Sequence, residues 1–179
     1  MKKQPDFTEL FYSYFGQVPR KVQYEVRQGA SRYHDLVFLN SLIHDARFVR
    51  EKIRLRGRRV TIPINRDCWE LKSTMHEREK DVYAELHIAD AVLTISPIED
   101  IQWTFRHTAD FTGDKELWIQ DLWIERNDHQ DEITKIIING FDWKCTISAQ
   151  CDDLQIKLKD SEVPYLYSER QEAQLGRCT

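Results

Sequence analysis

Two His-Asp dipeptides, His34-Asp35 and His44-Asp45, stand ten residues apart in the first third of the chain. A histidine beside a carboxylate is the material of metal sites and general-base pairs. Their spacing argues against joint action. Neighbours in sequence point different ways on a helix or a strand, and on one helix a ten-residue step leaves the two pairs about 80° out of line. A helical hydrolase scaffold would also need further His and Asp on other helices, and the second half of this chain reads as strand. The simpler assignment puts Asp35 in the first turn of a helix capped by Ser31. His44-Asp45 then orders the following turn through side-chain-to-backbone hydrogen bonds. The same four residues define the alternative, a metal-dependent hydrolase or small-ligand site, which requires them to converge in a cleft.

Other chemistry-bearing groups are sparse. Residues 127–132 (NDHQDE) are rich in oxygen ligands, but a calcium loop counted from Asp128 needs Gly sixth and Glu twelfth, where the chain has Ile133 and Asn139. A solvated turn between strands accounts for them. Cys68, Cys145, Cys151 and Cys178 form no CxxC pair and are too few for a disulfide scaffold, so they read as small apolar core residues. No glycine-rich phosphate loop, GxSxG or HExxH is present. The reading leans away from an enzyme, and no cofactor is expected.

Charge is distributed unevenly. Residues 1–80 carry 17 Lys+Arg against 10 Asp+Glu, whereas 81–179 carry 9 against 20, within a net charge of −4. The basic excess gathers in segment 47–66: Arg47, Arg50, Lys52, Arg54, Arg56, Arg58, Arg59 and Arg66. Clustered arginine suits phosphate, so nucleic-acid binding is one alternative. Phe48 is the one aromatic residue of the segment, too few for a base-stacking platform, which makes a solvated strand face beside an acidic sheet the stronger reading. Five tryptophans are many for this length. Trp103 and Trp143 fall in phase with apolar neighbours. Trp118 and Trp123 fall out of phase, so at least one faces outward or into a groove unless a second sheet or the N-terminal helices cover that face. Exposed Trp near Arg is the composition of a protein-binding hot spot. The candidate binding surface is therefore Trp118, Trp123, Arg50, Arg54 and Arg56.

These residues need elements to position them. Apolar residues at 7, 10, 11, 14 and 15 predict a helix ended by Gly16 and Pro19. Val22, Tyr24 and Val26 alternate as a short strand. A second helix after Ser31 carries Leu36, Val37, Leu39, Leu42 and Ile43. From Ala46 the period becomes two: Val49, Glu51, Ile53 and Leu55 share one face, and Arg50, Lys52, Arg54 and Arg56 the other. Gly57 turns this strand into a return strand through Val60, Ile62 and Ile64, where Pro63 implies an edge or a solvent-facing amide side. Residues 66–80 lose periodicity and read as a loop. Alternating strands then follow around Val82–Ile88, Val92–Ile95 and Ile101–Phe105. A strand over Leu117–Ile124 slips phase near Gln120, as at a bulge. Ile133–Ile138 reads as buried on both faces, ahead of strands at Trp143–Ala149 and Leu154–Leu158. Such alternation predicts an α+β fold: one or two N-terminal helices packed on a predominantly antiparallel sheet of roughly seven to nine strands, as a sandwich or partial barrel.

The 179 residues hold 41% hydrophobic and 31% charged residues with six Gly and five Pro, which excludes collagen-like and low-complexity chains. One domain over 1–160 with a polar tail over 161–179 is expected. No apolar run approaches the ~18 residues of a membrane span, and Met1 to Asp6 leads into no signal-peptide stretch. The expectation is a soluble cytoplasmic protein with no membrane role.

Two stretches, Ser41-Leu-Ile-His-Asp-Ala-Arg-Phe48 and Gly140-Phe-Asp-Trp-Lys-Cys-Thr-Ile-Ser-Ala149, resemble bacterial domains of unknown function of the polymorphic-toxin immunity-protein type. The resemblance implies a small α+β protein that works by binding another protein and has no activity of its own. It transfers no functional residues.

Overall fold

The computed structural model describes residues 21–26, 32–71, 74–78, 81–106, 115–126, 133–150 and 153–166. The first half contains β1 (Gln23–Val26), helix α1 (Arg32–Ile43), β2 (Arg47–Val49), a 3₁₀ turn (Arg50–Lys52), β3 (Arg54–Arg56), β4 (Arg59–Asp67) and β5 (Thr74–Arg78). Next come β6 (Asp81–Glu85), β7 (His87–Ser96), β8 (Asp100–Phe105), β9 (Glu116–Trp118) and β10 (Asp121–Arg126). The chain continues through β11 (Ile133–Asn139), β12 (Trp143–Gln150), β13 (Gln155–Asp160) and β14 (Tyr165–Leu166). The fold is α+β and mostly antiparallel sheet, as the alternation predicts, with more and shorter strands than expected.

Two sheets carry the structure. The eight-stranded sheet runs β1-β13-β7-β4-β2-β9, with β14 beside β7 and β3 beside β4; the four-stranded sheet runs β10-β11-β12-β8. No closed barrel forms among the described residues. Paired positions such as Ile62↔Leu93, Leu93↔Leu158 and Ile138↔Cys145 put apolar residues on one face of each sheet. Those faces merge in a single buried cluster. Aromatic rings join the sheets: Phe48 of β2 meets the Trp143 ring edge-on at 5.2 Å and the Trp103 ring at 6.2 Å. Helix α1 bridges the sheets at their open side, touching the edge strands β1 and β10 and also β4. It buries Phe38, Leu39, Leu42 and Ile43, one stripe at helical spacing, while Val37 is 50% exposed and lies off that stripe.

Several expectations are corrected. Residues 66–80 are not one loop. β4 runs to Asp67, a turn follows, and β5 pairs with β6 as a separate two-stranded hairpin. Leu117–Ile124 is not one bulged strand, because β9 lies in the large sheet and β10 in the small one. The phase slip at Ile119-Gln120 marks the crossing. β4 is interior rather than an edge, but the strand beside it breaks opposite Pro63: β3 pairs with residues 59–61, β2 with Asn65, and the 3₁₀ turn fills the gap. A residue without an N–H sits where the ladder on the β2–β3 side is interrupted, while the β7 ladder on the other side runs through it. The segment after Asp160 begins as part of the large sheet, with the Ser161 N–H donating to the Asp90 carbonyl at 2.7 Å and β14 pairing with β7. The helix expected over 7–15, Ser31, the 127–132 cluster, Cys151, Cys178 and the last residues of the tail lie outside the described residues.

Candidate protein-binding face

Each strand of the large sheet divides its side chains between two faces. β4 sends Val60, Ile62, Ile64 and Arg66 inward, and Arg59, Thr61, Pro63, Asn65 and Asp67 outward. The outer face continues across Val92, Thr94 and Ser96 of β7 to Gln155, Lys157 and Lys159 of β13. Three adjoining grooves hollow it. The largest, ≈ 630 Å³, lies at the β3–β4 end and is lined by Arg54, Arg56, Arg58 and Arg59, with Thr61, Ser96, Pro97, Asp153 and Gln155 completing it. A second of ≈ 490 Å³ lies towards Arg47, Asn65, Asp90 and Glu116. The third, ≈ 410 Å³, shares Arg59, Ser96 and Gln155 with the first and Val92 with the second. The third groove thus lies between the other two on this face.

The tip of this face is a two-residue turn, Gly57-Arg58, between the paired residues Arg56 and Arg59. Gly57 has φ 54, a backbone state that favours glycine in tight hairpin turns. The turn and the β3–β4 ladder bring four exposed guanidiniums around the groove. Arg58 donates from Nε to the Ile98 carbonyl at 3.4 Å and lies 3.7 Å from Glu99 Oε1. Among the described residues no carboxylate pairs with Arg54, Arg56 or Arg59.

The other basic residues of segment 47–66 take different roles. Arg47 donates from Nη2 to Asn65 Oδ1 at 2.8 Å and to Asp67 Oδ1 at 3.3 Å, and stacks over Trp118 with 5.3 Å to the ring centroid. Asn65 in turn donates to Asp90 Oδ1 at 2.9 Å. Burial raises the Asp67 carboxyl above its ordinary value, with Arg47 opposing and Asp45 adding to the rise. Arg50 leaves the face expected for it. The 3₁₀ turn resets the phase, and its guanidinium lies 5.5 Å from the Trp103 ring and 5.2 Å from Phe105, whose rings stack at 6.0 Å. Arg66 is not part of any surface patch. It is fully buried, donating from Nε and Nη2 to Asp160 at 2.9 Å each and from Nη1 and Nη2 to Glu70 at 3.1 and 2.6 Å. Burial works against its charge, but the hydrogen bonds to Asp160 and Glu70 outweigh that and raise its pKa further.

The remaining candidates are placed as follows. Trp118 (47% exposed) lies on the outer face of the large sheet opposite Arg47, and Trp123 (37%) on the outer face of the small sheet opposite Ile137. His44 Nδ1 and Asp45 Oδ2 pair at 2.8 Å on the surface just past α1, where Asp45 has φ 63 and the His44 N–H donates to the Asn40 carbonyl. Asp35 accepts from the Tyr24 hydroxyl at 2.9 Å. His44 lies nine positions further on, just past the helix end, about 13 Å along the axis and half a turn around it. Of His34 only its place on α1 is described, and among the described residues no three His, Cys, Asp or Glu side chains form a metal-holding group. Cys68 and Cys145 are buried thiols; burial pushes Cys145 up to about 12 against the opposing charge of Arg50. Sequence reasoning missed Thr61, Ser96, Gln155 and Lys157 as parts of a face. Their signal was present as the polar phase of the alternation in β4, β7 and β13.

Compared with protein-family models, with curated proteins and with solved structures, the chain matches none. No helix among the described residues is long and apolar enough to cross a membrane.

Proposed function

We propose that the protein is a non-enzymatic binding module that takes an acidic surface of another protein on the outer face of its large sheet, in the cytoplasm. The observation that supports this is the arginine-lined groove, where Arg54, Arg56 and Arg59 lack a carboxylate partner among the described residues. Like charges held close together repel, and a partner's carboxylates convert that repulsion into bidentate, charge-assisted hydrogen bonds. Trp118, stacked under Arg47 on the same sheet face, adds apolar area of the kind that anchors protein interfaces. The resemblance to immunity-type domains points in the same direction.

Phosphates suit the same arginines, so nucleic acid is the second reading. Two features favour a protein. Among the described residues no aromatic side chain lines the largest groove, which leaves bases nothing there to stack on. Glu25, Asp90, Glu116 and Asp153 interrupt the positive face where a phosphate track would run.

The test is to retain partners from native lysate on the immobilised protein, purify each and titrate it back. An acidic protein whose affinity drops about tenfold or more with Arg54→Glu/Arg56→Glu supports the proposal, since two charge-assisted contacts are lost. Indifference of every retained protein to that substitution overturns it. So does tighter binding of a DNA duplex with a steep salt dependence.

A further inference from the structure

We infer that the partner contributes an extended segment that pairs with the open edge of β3 and presents carboxylates at alternate positions. This rests on the partner being an acidic protein, and it names how that partner is read.

β3 is held from one side only. Its residues pair as Arg54↔Thr61, Leu55↔Val60 and Arg56↔Arg59 with β4, and no described strand pairs its other side. All three residues are exposed, Leu55 at 57%. The neighbouring strand β2 has both sides filled, by β4 and β9, so the opening is confined to β3 and the turn before it. An open edge offers backbone N–H and C=O groups to an incoming chain, the basis of recognition by strand addition.

The side chains decide which chain fits. Residues directly opposite in adjacent strands share a face and interact. A second copy of β3 would set arginine against arginine in either orientation, so the edge rejects self-pairing. A strand with Asp or Glu opposite Arg54 and Arg56 places its carboxylates at the mouth of the groove. The residue between them lies opposite Leu55 on the other face, where an apolar side chain covers exposed leucine. The recognised pattern is acidic, apolar, acidic, with the period of two that a strand imposes.

The probe is a capped peptide, Glu-Val-Glu-Val-Glu, titrated against the full chain beside a version N-methylated at alternate amides and a scrambled one, Glu-Glu-Glu-Val-Val. The alternating peptide should bind, slow hydrogen exchange at the backbone amides of β3, and lose about tenfold or more in affinity when N-methylated or scrambled. With Arg54→Glu/Arg56→Glu the preference should move to Lys-Val-Lys-Val-Lys. Equal binding of all three acidic peptides, without protection at β3, overturns strand addition and leaves the acidic-partner reading standing. Absence of binding by any of them at millimolar concentration also overturns strand addition. The broader reading falls with it only if Arg54→Glu/Arg56→Glu leaves the purified lysate partner's affinity unchanged.

Discussion

Arg66 shares its face of β4 with Val60, Ile62 and Ile64, and it tolerates that position because Glu70 and Asp160 take all of its directed hydrogen bonds. Asp160 also accepts from the Val22 N–H at 2.7 Å, so one cluster ties β4, β13, the start of β1 and the turn after β4. Arg66→Met leaves two carboxylates facing each other without their counter-charge. The expected cost is about 3–5 kcal/mol, read from urea unfolding. Asp67, one residue along and on the other face, makes a pH prediction. Its carboxyl is raised in the folded state, so the fold binds its proton more tightly than the unfolded chain does. The stability this contributes is present below the ordinary carboxylate range and is lost as pH rises through the raised value. Asp67→Asn removes the titration, so the melting temperature of the variant relative to wild type should rise between about pH 3.5 and pH 7. A difference that is flat with pH would show that Asp67 does not titrate this way. That Arg66 lies on a strand was not legible in the sequence, which reads it as the start of a loop where β4 in fact runs to Asp67. Nor was its burial, because it reads as the last member of the basic segment 47–66 and its partner Asp160 is 94 positions away.

At the level of elements, two glycines set the geometry of the hairpins. A Cβ at Gly140 would collide with the Trp118 carbonyl and the Trp143 indole, the meeting point of β9 with the β11–β12 turn. Gly140→Ala should cost about 1–3 kcal/mol as the neighbours shift, measurable by chemical denaturation. Gly57 has open space around it, so its constraint is φ alone. Gly57→Val should destabilise the β3–β4 turn by about 1–2 kcal/mol, with Gly57→Asn milder, a ranking that thermal melts can check. Strands with one apolar face were readable from alternation; β13, with alternate residues buried, and β12 are the clearest cases. The β5–β6 hairpin was not, since Thr74–Arg78 has no apolar phase to announce it and its ladder partner is its own neighbour. The break between β2 and β3 was hidden for another reason: the arginines keep their period of two through it, while the backbone does not.

For the molecule as a whole, the shared core means that the two sheets stabilise each other. Phe48 sits between them against Trp103 and Trp143. Tryptophan fluorescence, to which Trp103 and Trp143 of that contact contribute, and far-UV circular dichroism should therefore trace one unfolding transition. Phe48→Ala should shift both by the same amount, about 3–5 kcal/mol; separate transitions would mean that the sheets fold independently. The sandwich-like layering was legible from the number of half-apolar strands. Which strand joined which sheet was not, because Leu117, Ile119 and Leu122 are equally buried on either side of the crossing. The two-faced arrangement of the adjacent strands β4, β7 and β13, core on one side and groove on the other, also has an evolutionary consequence. Positions 54, 56, 59, 61 and 157 are free to drift with a changing partner, while 60, 62, 64, 93, 95 and 158, interleaved with them, are held by the core. Descendants of this chain should vary in a checkerboard across these strands, so new specificities can arise one residue at a time without passing through an unfolded ancestor.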